Sequence, residues 1–262
     1  MPAALQTISG FFTAAGAGTN PATPSPGDSF NVPSFALTAQ GLLENVYASG
    51  ATTDFVRVRS PRLHDANQGL RLWVGGNQHR RLLPNYANDY LYPSDTPVVE
   101  IDATGAGTGA ILLQYGFTDL PGVSPRLASF DQIASRIVHI SGTEVDVTSG
   151  AIGNWGATQA INANFDNFEA GADYAWLGYT CSAGCHAIAM TGKDTGNLKM
   201  GGPGDNDAAQ TQDYWIRFSE ESNRPYIPII AANNKSSTFL QAVDVAAATA
   251  VKVTLLLAQL SG

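Results

Sequence analysis

Apolar and polar residues alternate along most of this chain in short runs separated by breakers. Phe55-Val56-Arg57-Val58-Arg59 sets Val56 and Val58 on one face and Arg57 and Arg59 on the other, the period-2 pattern of a half-buried strand. Leu70-Arg71-Leu72-Trp73-Val74 repeats it, and Gly75-Gly76 stops it. Further strands are predicted over 79–83, 98–101 and 110–115, then over 137–140, 174–179, 186–190, 197–200, 214–218, 239–245 and 251–257. A helical period shows in one place. Leu127, Phe130, Ile133 and Ile137, with Ser129 and Asp131 among them, predict one short amphipathic helix over about 126–137.

Strands this short, at such spacing, predict an all-β fold of two tandem β-sandwich units with jelly-roll connections, joined by the helix. The chain also reads as written twice. A shift of 142 lays Ile101-Asp102 on Val243-Asp244 and Ile111-Leu112-Leu113 on Val253-Thr254-Leu255. A shift of 132 lays Ile8-Ser9-Gly10 on Ile140-Ser141-Gly142 and Tyr47 on Tyr179, and a shift of 126 lays Gly75-Gly76 on Gly201-Gly202. The expected units are 1–124 and 125–262, each large enough for its own core. Residues 13–29 are Ala, Gly, Thr, Asn, Pro and Ser with the single charge of Asp28, and are expected to form an extended, flexible arm or a long loop.

Charged residues make up 14% of the 262, against roughly 25% in ordinary soluble domains, and only 4 of the 14 basic residues are Lys. Lys is depleted and Arg enriched in protein interfaces, so the balance leans toward assembly. A net charge of −8 argues against a surface that grips nucleic acid throughout. The charge is uneven. Residues 1–56 have no Lys or Arg, whereas 57–81 hold Arg57, Arg59, Arg62, Arg71, Arg80 and Arg81 against Asp65 alone. This band is either a self-association device facing acidic surface on another copy, or a set of arginines paired locally on strand faces. No run reaches the 18 or so apolar residues of a membrane span, and the first residues lack the charge and apolar core of a signal peptide.

Candidate chemistry is sparse. Cys181-Ser182-Ala183-Gly184-Cys185-His186 lacks the second ligand pair of a structural zinc site, so no metal and no cofactor are expected. Its central Ser-Ala-Gly suits a turn, which allows a Cys181–Cys185 disulfide in an oxidising compartment and two thiols otherwise. His64-Asp65 reads as a turn. Residues 201–207 hold two carboxylates near glycines but not the ligand spacing of a calcium loop. Gly192-Lys193-Asp194 fails as a phosphate loop, and no Gly-x-Ser-x-Gly elbow occurs. Trp73, Trp155, Trp176 and Trp215 have the faces to line a sugar site, although Trp73, Trp176 and Trp215 fall inside predicted strands, where core packing is ordinary.

The stretches Val56-Arg57-Val58-Arg59-Ser60-Pro61-Arg62-Leu63-His64-Asp65 and Asp194-Thr195-Gly196-Asn197-Leu198-Lys199, on this duplicated strand pattern, resemble structural proteins of bacterial viruses, particularly capsid proteins of tandem jelly-roll domains. The resemblance is global and matches no diagnostic motif. It implies a non-enzymatic subunit of the virion whose partners are copies of itself and other virion proteins. It also implies sandwiches side by side, trimers forming pseudo-sixfold tiles and an arm reaching a neighbour. The interface expected here is the arm 13–29 with Arg57, Arg59, Arg62, Arg71, Arg80 and Arg81. The alternative is a carbohydrate-binding β-sandwich module using Trp73 or Trp155.

Overall fold

In a computed structural model the alternating runs form antiparallel strands. The structure describes residues 4–32, 40–50, 53–61, 65–73, 81–82, 90–117, 120, 122–164, 168–182, 184–204, 211–244 and 248–262. The first half carries β1 (Ala4–Ala14), β2 (Gly18–Pro24), β3 (Gly41–Ser49), β4 (Thr53–Ser60), β5 (Asp65–Trp73), β6 (Arg81–Leu82), β7 (Tyr90–Leu91), β8 (Val98–Ala103) and β9 (Gly107–Phe117). The second carries β10 (Leu127–Ala128), α1 (Phe130–Ile133), β11 (Ile137–Thr148), β12 (Gln159–Ala160), β13 (Asp173–Cys181), β14 (Cys185–Gly192) and β15 (Met200–Pro203). It continues with α2 (Tyr214–Ser222), β16 (Ile227–Ala231), β17 (Thr238–Asp244) and β18 (Ala250–Leu260).

The second half forms two sheets, β10-β16-β13-β18-β11 and β12-β17-β14-β15. In the first half a continuous path, β5-β4-β8-β2-β1-β9-β3-β6, with β7 also on β3, folds over at β2. Ala22, Thr23 and Pro24 pair with β1, whereas Gly18 to Pro21 pair with β8. Apart from β10, which adds to β16 at one sheet edge, the strand order is the same in both halves. With β6 and β7 taken as one position, one sheet runs first, eighth, third, sixth and the other second, seventh, fourth, fifth. That is jelly-roll order, two interlocked Greek keys closing on each other.

The strands brought together by the shifts of 142 and 132 occupy matching places: β8 with β17, β9 with β18, β1 with β11 and β3 with β13. Register does not follow them throughout. Ile111 pairs with Gly10 and Val253 with Val145, so a shift of 142 on one strand goes with 135 on its partner (145 minus 10), not 132. Gly75-Gly76 lies outside the described residues.

Each half has its own apolar core. Ile8, Phe12, Val46, Ile111 and Leu113 from one sheet meet Val56, Val58, Val99 and Ile101 from the other. The larger core of the second half gathers Val145, Val253, Leu255, Ile188 and Met190 around Trp176 and Trp215.

Three expectations are corrected. The helix over 126–137 shrinks to α1 and a 3-10 turn, Ala134–Arg136, because Leu127-Ala128 pairs with β16 and Ile137 already begins β11. The strand expected over 214–218 is the start of α2. Its buried set, Tyr214, Trp215, Phe218, Ser219 and Ser222, follows the helical period, although Tyr214, Ile216 and Phe218 also alternate. Residues 13–29 are not a free arm. They carry β2, whose side chains are mostly exposed and whose order comes from backbone pairing rather than apolar burial. Each end of β2 has a partner on one side only, the edge-like setting in which a strand tolerates Pro21 and Pro24.

Candidate assembly surfaces

The strands β1, β3 and β9 are buried on both faces, which explains the unbroken burial of β3. One face is the first core. The other, bearing Thr7, Ser9, Asn45, Tyr47, Leu112 and Gln114, is covered by the second half of the chain. Thr7 N donates to Lys199 O at 2.7 Å, and Thr7 Oγ1 donates to Gly201 O at 3.2 Å. Gln114 Oε1 accepts from Asn45 Nδ2 and from Tyr214 OH, each at 2.7 Å, and Gln114 Nε2 donates to Gly201 O. Tyr47 and Leu112 pack on Ala187 of β14 and Val243 of β17. The polar stripe of one sandwich is thus buried against the outer face of β12-β17-β14-β15. Buried polar groups cost energy unless hydrogen-bonded. Thr7, Ser9 and Gln114 are bonded across the junction, whereas Asn45 bonds to Gln114 within its own sheet and its Oδ1 is left without a partner.

Charged groups pin the same junction. Asp28, in the stretch expected to be an arm, accepts from Lys199 Nζ at 2.6 Å, Trp155 Nε1 at 2.7 Å and Ser9 N at 3.1 Å. Glu44 is buried, accepts from Tyr226 OH at 2.8 Å and lies 3.3 Å from Arg224 Nε. Burial raises its pKa, against the lowering effect of the Tyr226 hydrogen bond and Arg224. Ser49 Oγ is 2.6 Å from His186 Nδ1. A Ser–His pair has the composition of an activated nucleophile, but both side chains are buried and burial pushes the imidazole down to about 3. A neutral His with no access to solvent serves as a junction contact.

The outer face of β2-β8-β4-β5 holds Arg57, Arg59 and Arg71 of the arginine band. Glu100 accepts from Arg57 Nε at 2.9 Å and Arg59 Nε at 2.8 Å, and the Arg59 hydrogen bond is the main cause of its lowered pKa. Arg71 lies 2.6 Å from Asp102 and 4.2 Å over the ring of Phe55, which meets Trp73 edge-on at 4.7 Å. The reading of arginines paired locally on strand faces therefore describes Arg57, Arg59 and Arg71. Arg62 and Arg80 lie outside the described residues, and of Arg81 only its backbone place in β6 is described.

On the other side of the molecule, Val145 and Val147 point into the core and leave Gly142, Glu144 and Asp146 of β11 outside. Their neighbours on β18 are Leu256, Thr254 and Lys252, and Lys252 Nζ reaches Glu144 at 2.5 Å.

Cys181 and Cys185 are both thiols. They do not flank a hairpin: Cys181 pairs with Val253 in one sheet and Cys185 with Asp244 in the other, so the turn crosses between sheets. Of the other sequence candidates, His64 and residues 205–207 lie outside the described residues, and Gly201 and Gly202 belong to β15. Asp194 accepts from Ala231 N and Asn234 Nδ2 at 3.0 Å and serves to join loops. Among the described residues no group of three or more His, Cys, Asp and Glu stands together, and no helix is long and apolar enough to cross a membrane.

Three solved structures align with most of this chain's length at low similarity. The major capsid protein P2 from bacteriophage PM2 covers 99% of this chain over 98% of its own, at 8% identity and a TM-score of 0.26. The STIV MCP covers 98% over 96% of its own, at 6% and 0.21, and the PBSX exported protein XepA covers 97% over 86%, at 10% and 0.21. The likeness is weak and global. No protein-family model matches the chain, and no curated protein sequence matches it.

The tryptophans divide by place. Trp176 and Trp215 fill the second core, their rings 5.2 Å apart. Trp155 is bonded to Asp28 at the junction. Trp73, expected to pack in a core, is exposed instead, because strand alternation puts it on the outer face with Phe55 and Arg71.

Proposed function

We propose that this chain is a non-enzymatic, self-assembling structural protein of a bacterial virus particle, found in the virion among copies of itself and other virion proteins. One observation carries the reading: two jelly rolls of identical strand order are locked face against face through a buried polar stripe, which leaves one sheet face of each turned outward. Such a body is a rigid tile. In this proposal the two units, 1–124 and 125–262, descend from one duplicated ancestor, and three chains present six similar edges in a trimer. The experiment is native mass measurement with electron microscopy of the purified protein. Trimers or larger closed assemblies are expected, and a salt-insensitive monomer at high concentration overturns the reading.

A second reading keeps one specific observation. The exposed indole of Trp73 beside Arg71 and Asp102 is the kind of surface on which a sugar stacks, as in a carbohydrate-binding module. Glycan-array binding abolished by Trp73→Ala, with the melting temperature unchanged, favours that reading.

A further inference from the structure

Among the described residues the large exposed apolar side chains are Trp73 (46%), Val98 (43%), Val138 (65%) and Ile140 (48%). They fall on two surfaces only. Trp73 and Val98 stand on the outer face of β2-β8-β4-β5, in the cross-strand grid of Phe55, Arg57, Arg59 and Glu100. Ile140 stands on the outer face of β11 in line with Gly142, Glu144 and Asp146, and Val138 sits at the irregularity that opens the strand.

These two surfaces are the counterparts of the pair already joined inside the chain. There, the outer face of the first half's β1-β9-β3 covers the outer face of the second half's β12-β17-β14-β15. By strand order the second half's β11-β18-β13 matches the former, and the first half's β2-β8-β4-β5 matches the latter. We infer that the internal junction is repeated between molecules, with the outer face of β11 and β18 of one copy seated on the outer face of β4, β5 and β8 of the next.

Charge and apolarity fit this occupant. In the grid of paired, described side chains on the first surface, Arg57, Arg59 and Arg71 against Glu100 and Asp102 leave one net positive charge. Glu144 and Asp146 against Lys252 leave the second with one net negative charge. Complementary potentials of this kind fix orientation, while Trp73, Val98, Val138, Ile140 and the half-buried Leu256 supply apolar surface to bury. The contact is head-to-tail: each copy offers one surface of each kind, so association continues until a ring closes.

This inference rests on the self-assembly reading, and the test separates the two. Trp73→Asp and Ile140→Asp each place a carboxylate on one surface and leave the cores untouched, which thermal melting verifies. Each variant alone is expected to run as a monomer in native mass measurement where the wild type assembles, with at least a tenfold weaker association. A 1:1 mixture is expected to give a heterodimer and no larger species, since one intact pair of surfaces survives. Variants that assemble like wild type, or a mixture that stays monomeric, overturn the head-to-tail contact while self-assembly stands. A wild type that is monomeric at every concentration overturns both. Assembly unaffected by Trp73→Asp together with lost glycan binding assigns that surface to sugar instead.

Discussion

Asp28 and Lys199 are 171 residues apart in the chain and 2.6 Å apart in space. The Asp28 carboxylate also takes the indole N–H of Trp155 and the backbone N–H of Ser9, and its side chain is almost wholly shielded from water. It ties the stretch after β2 to β1 and to two segments of the second half. Asp28→Ala leaves an ammonium, an indole and a backbone donor without their acceptor. The expected loss is about 2–4 kcal/mol, the range for breaking a mostly buried pair one of whose partners keeps some solvent contact. Urea denaturation at pH 7 measures it, and a change under about 0.5 kcal/mol, the size of an ordinary surface substitution, would show that the contact is idle.

Deleting residues 1–28 is expected to abolish cooperative folding of the first sandwich. Along its whole length β1 pairs with β9, from Ala4 opposite Phe117 to Ala14 opposite Gly107, and Ile8 and Phe12 lie in the core. Removing an interior strand exposes the core and opens two sheet edges. Hydrogen exchange should show fast exchange over β3 and β9 in the truncated protein. Wild-type protection there would mean the segment is dispensable.

Glu44 makes the junction pH-dependent with a definite sign. Burial raises its pKa in the folded protein above the ordinary carboxylate value of 4.5, and the contacts to Tyr226 and Arg224 only partly oppose this. The folded state therefore binds the proton more tightly than the unfolded chain. The stability this contributes is complete below 4.5 and is lost as pH rises through the raised pKa. Glu44→Gln cannot titrate, so its stability relative to wild type should rise over that interval. Paired urea titrations from pH 4 to 8 check this, and a relative fall with rising pH contradicts it.

A related steric prediction concerns Gly116. A Cβ there would strike the Tyr226 hydroxyl and come within 2.6 Å of the Glu44 carboxylate, so Gly116→Ala displaces the same buried group. Overpacking of this kind costs about 1–3 kcal/mol. Thermal melting should show the loss, and it should be smaller in a Tyr226→Phe background, which removes the hydroxyl that the methyl strikes first.

Strands with one buried and one solvated face were legible in the sequence, because alternation at Val56–Arg59 reports a single buried face. Alternation is lost where both faces are buried, so β3 went unseen: Leu43 and Val46 serve the first core, and Tyr47 packs on the other sandwich. The same physics hid the junction. Thr7, Ser9, Asn45 and Gln114 have the polarity of a solvated face and are fully buried. A polar face packed on a second domain is indistinguishable in one dimension from a wet one. The stretch 13–29 misled for the complementary reason, since backbone pairing orders it and composition registers only side-chain burial. The arginine band was visible as charge, but the pairing of Arg57, Arg59 and Arg71 with Glu100 and Asp102, some 30 to 40 residues on, depended on β8 lying beside β4.

The last prediction separates stability from assembly on that surface. Arg57 and Arg59 converge on Glu100, whose pKa is lowered mainly by the Arg59 hydrogen bond. A depressed carboxylate contributes stability that is present above its unfolded pKa and lost as pH falls through the folded one. Glu100→Gln should therefore cost about 1 kcal/mol or less at pH 7, solvent screening at this partly exposed site keeping it small, and nothing at low pH. The same change raises the paired grid of Arg57, Arg59, Arg71, Glu100 and Asp102 from one net positive charge to two, which in the inferred contact faces a neighbour's Glu144 and Asp146. Association should then become faster and more salt-dependent while the fold weakens slightly. Stopped-flow light scattering at two ionic strengths reads the first effect and pH-dependent melting the second. Slower association in the variant would show that the partner surface is not acidic.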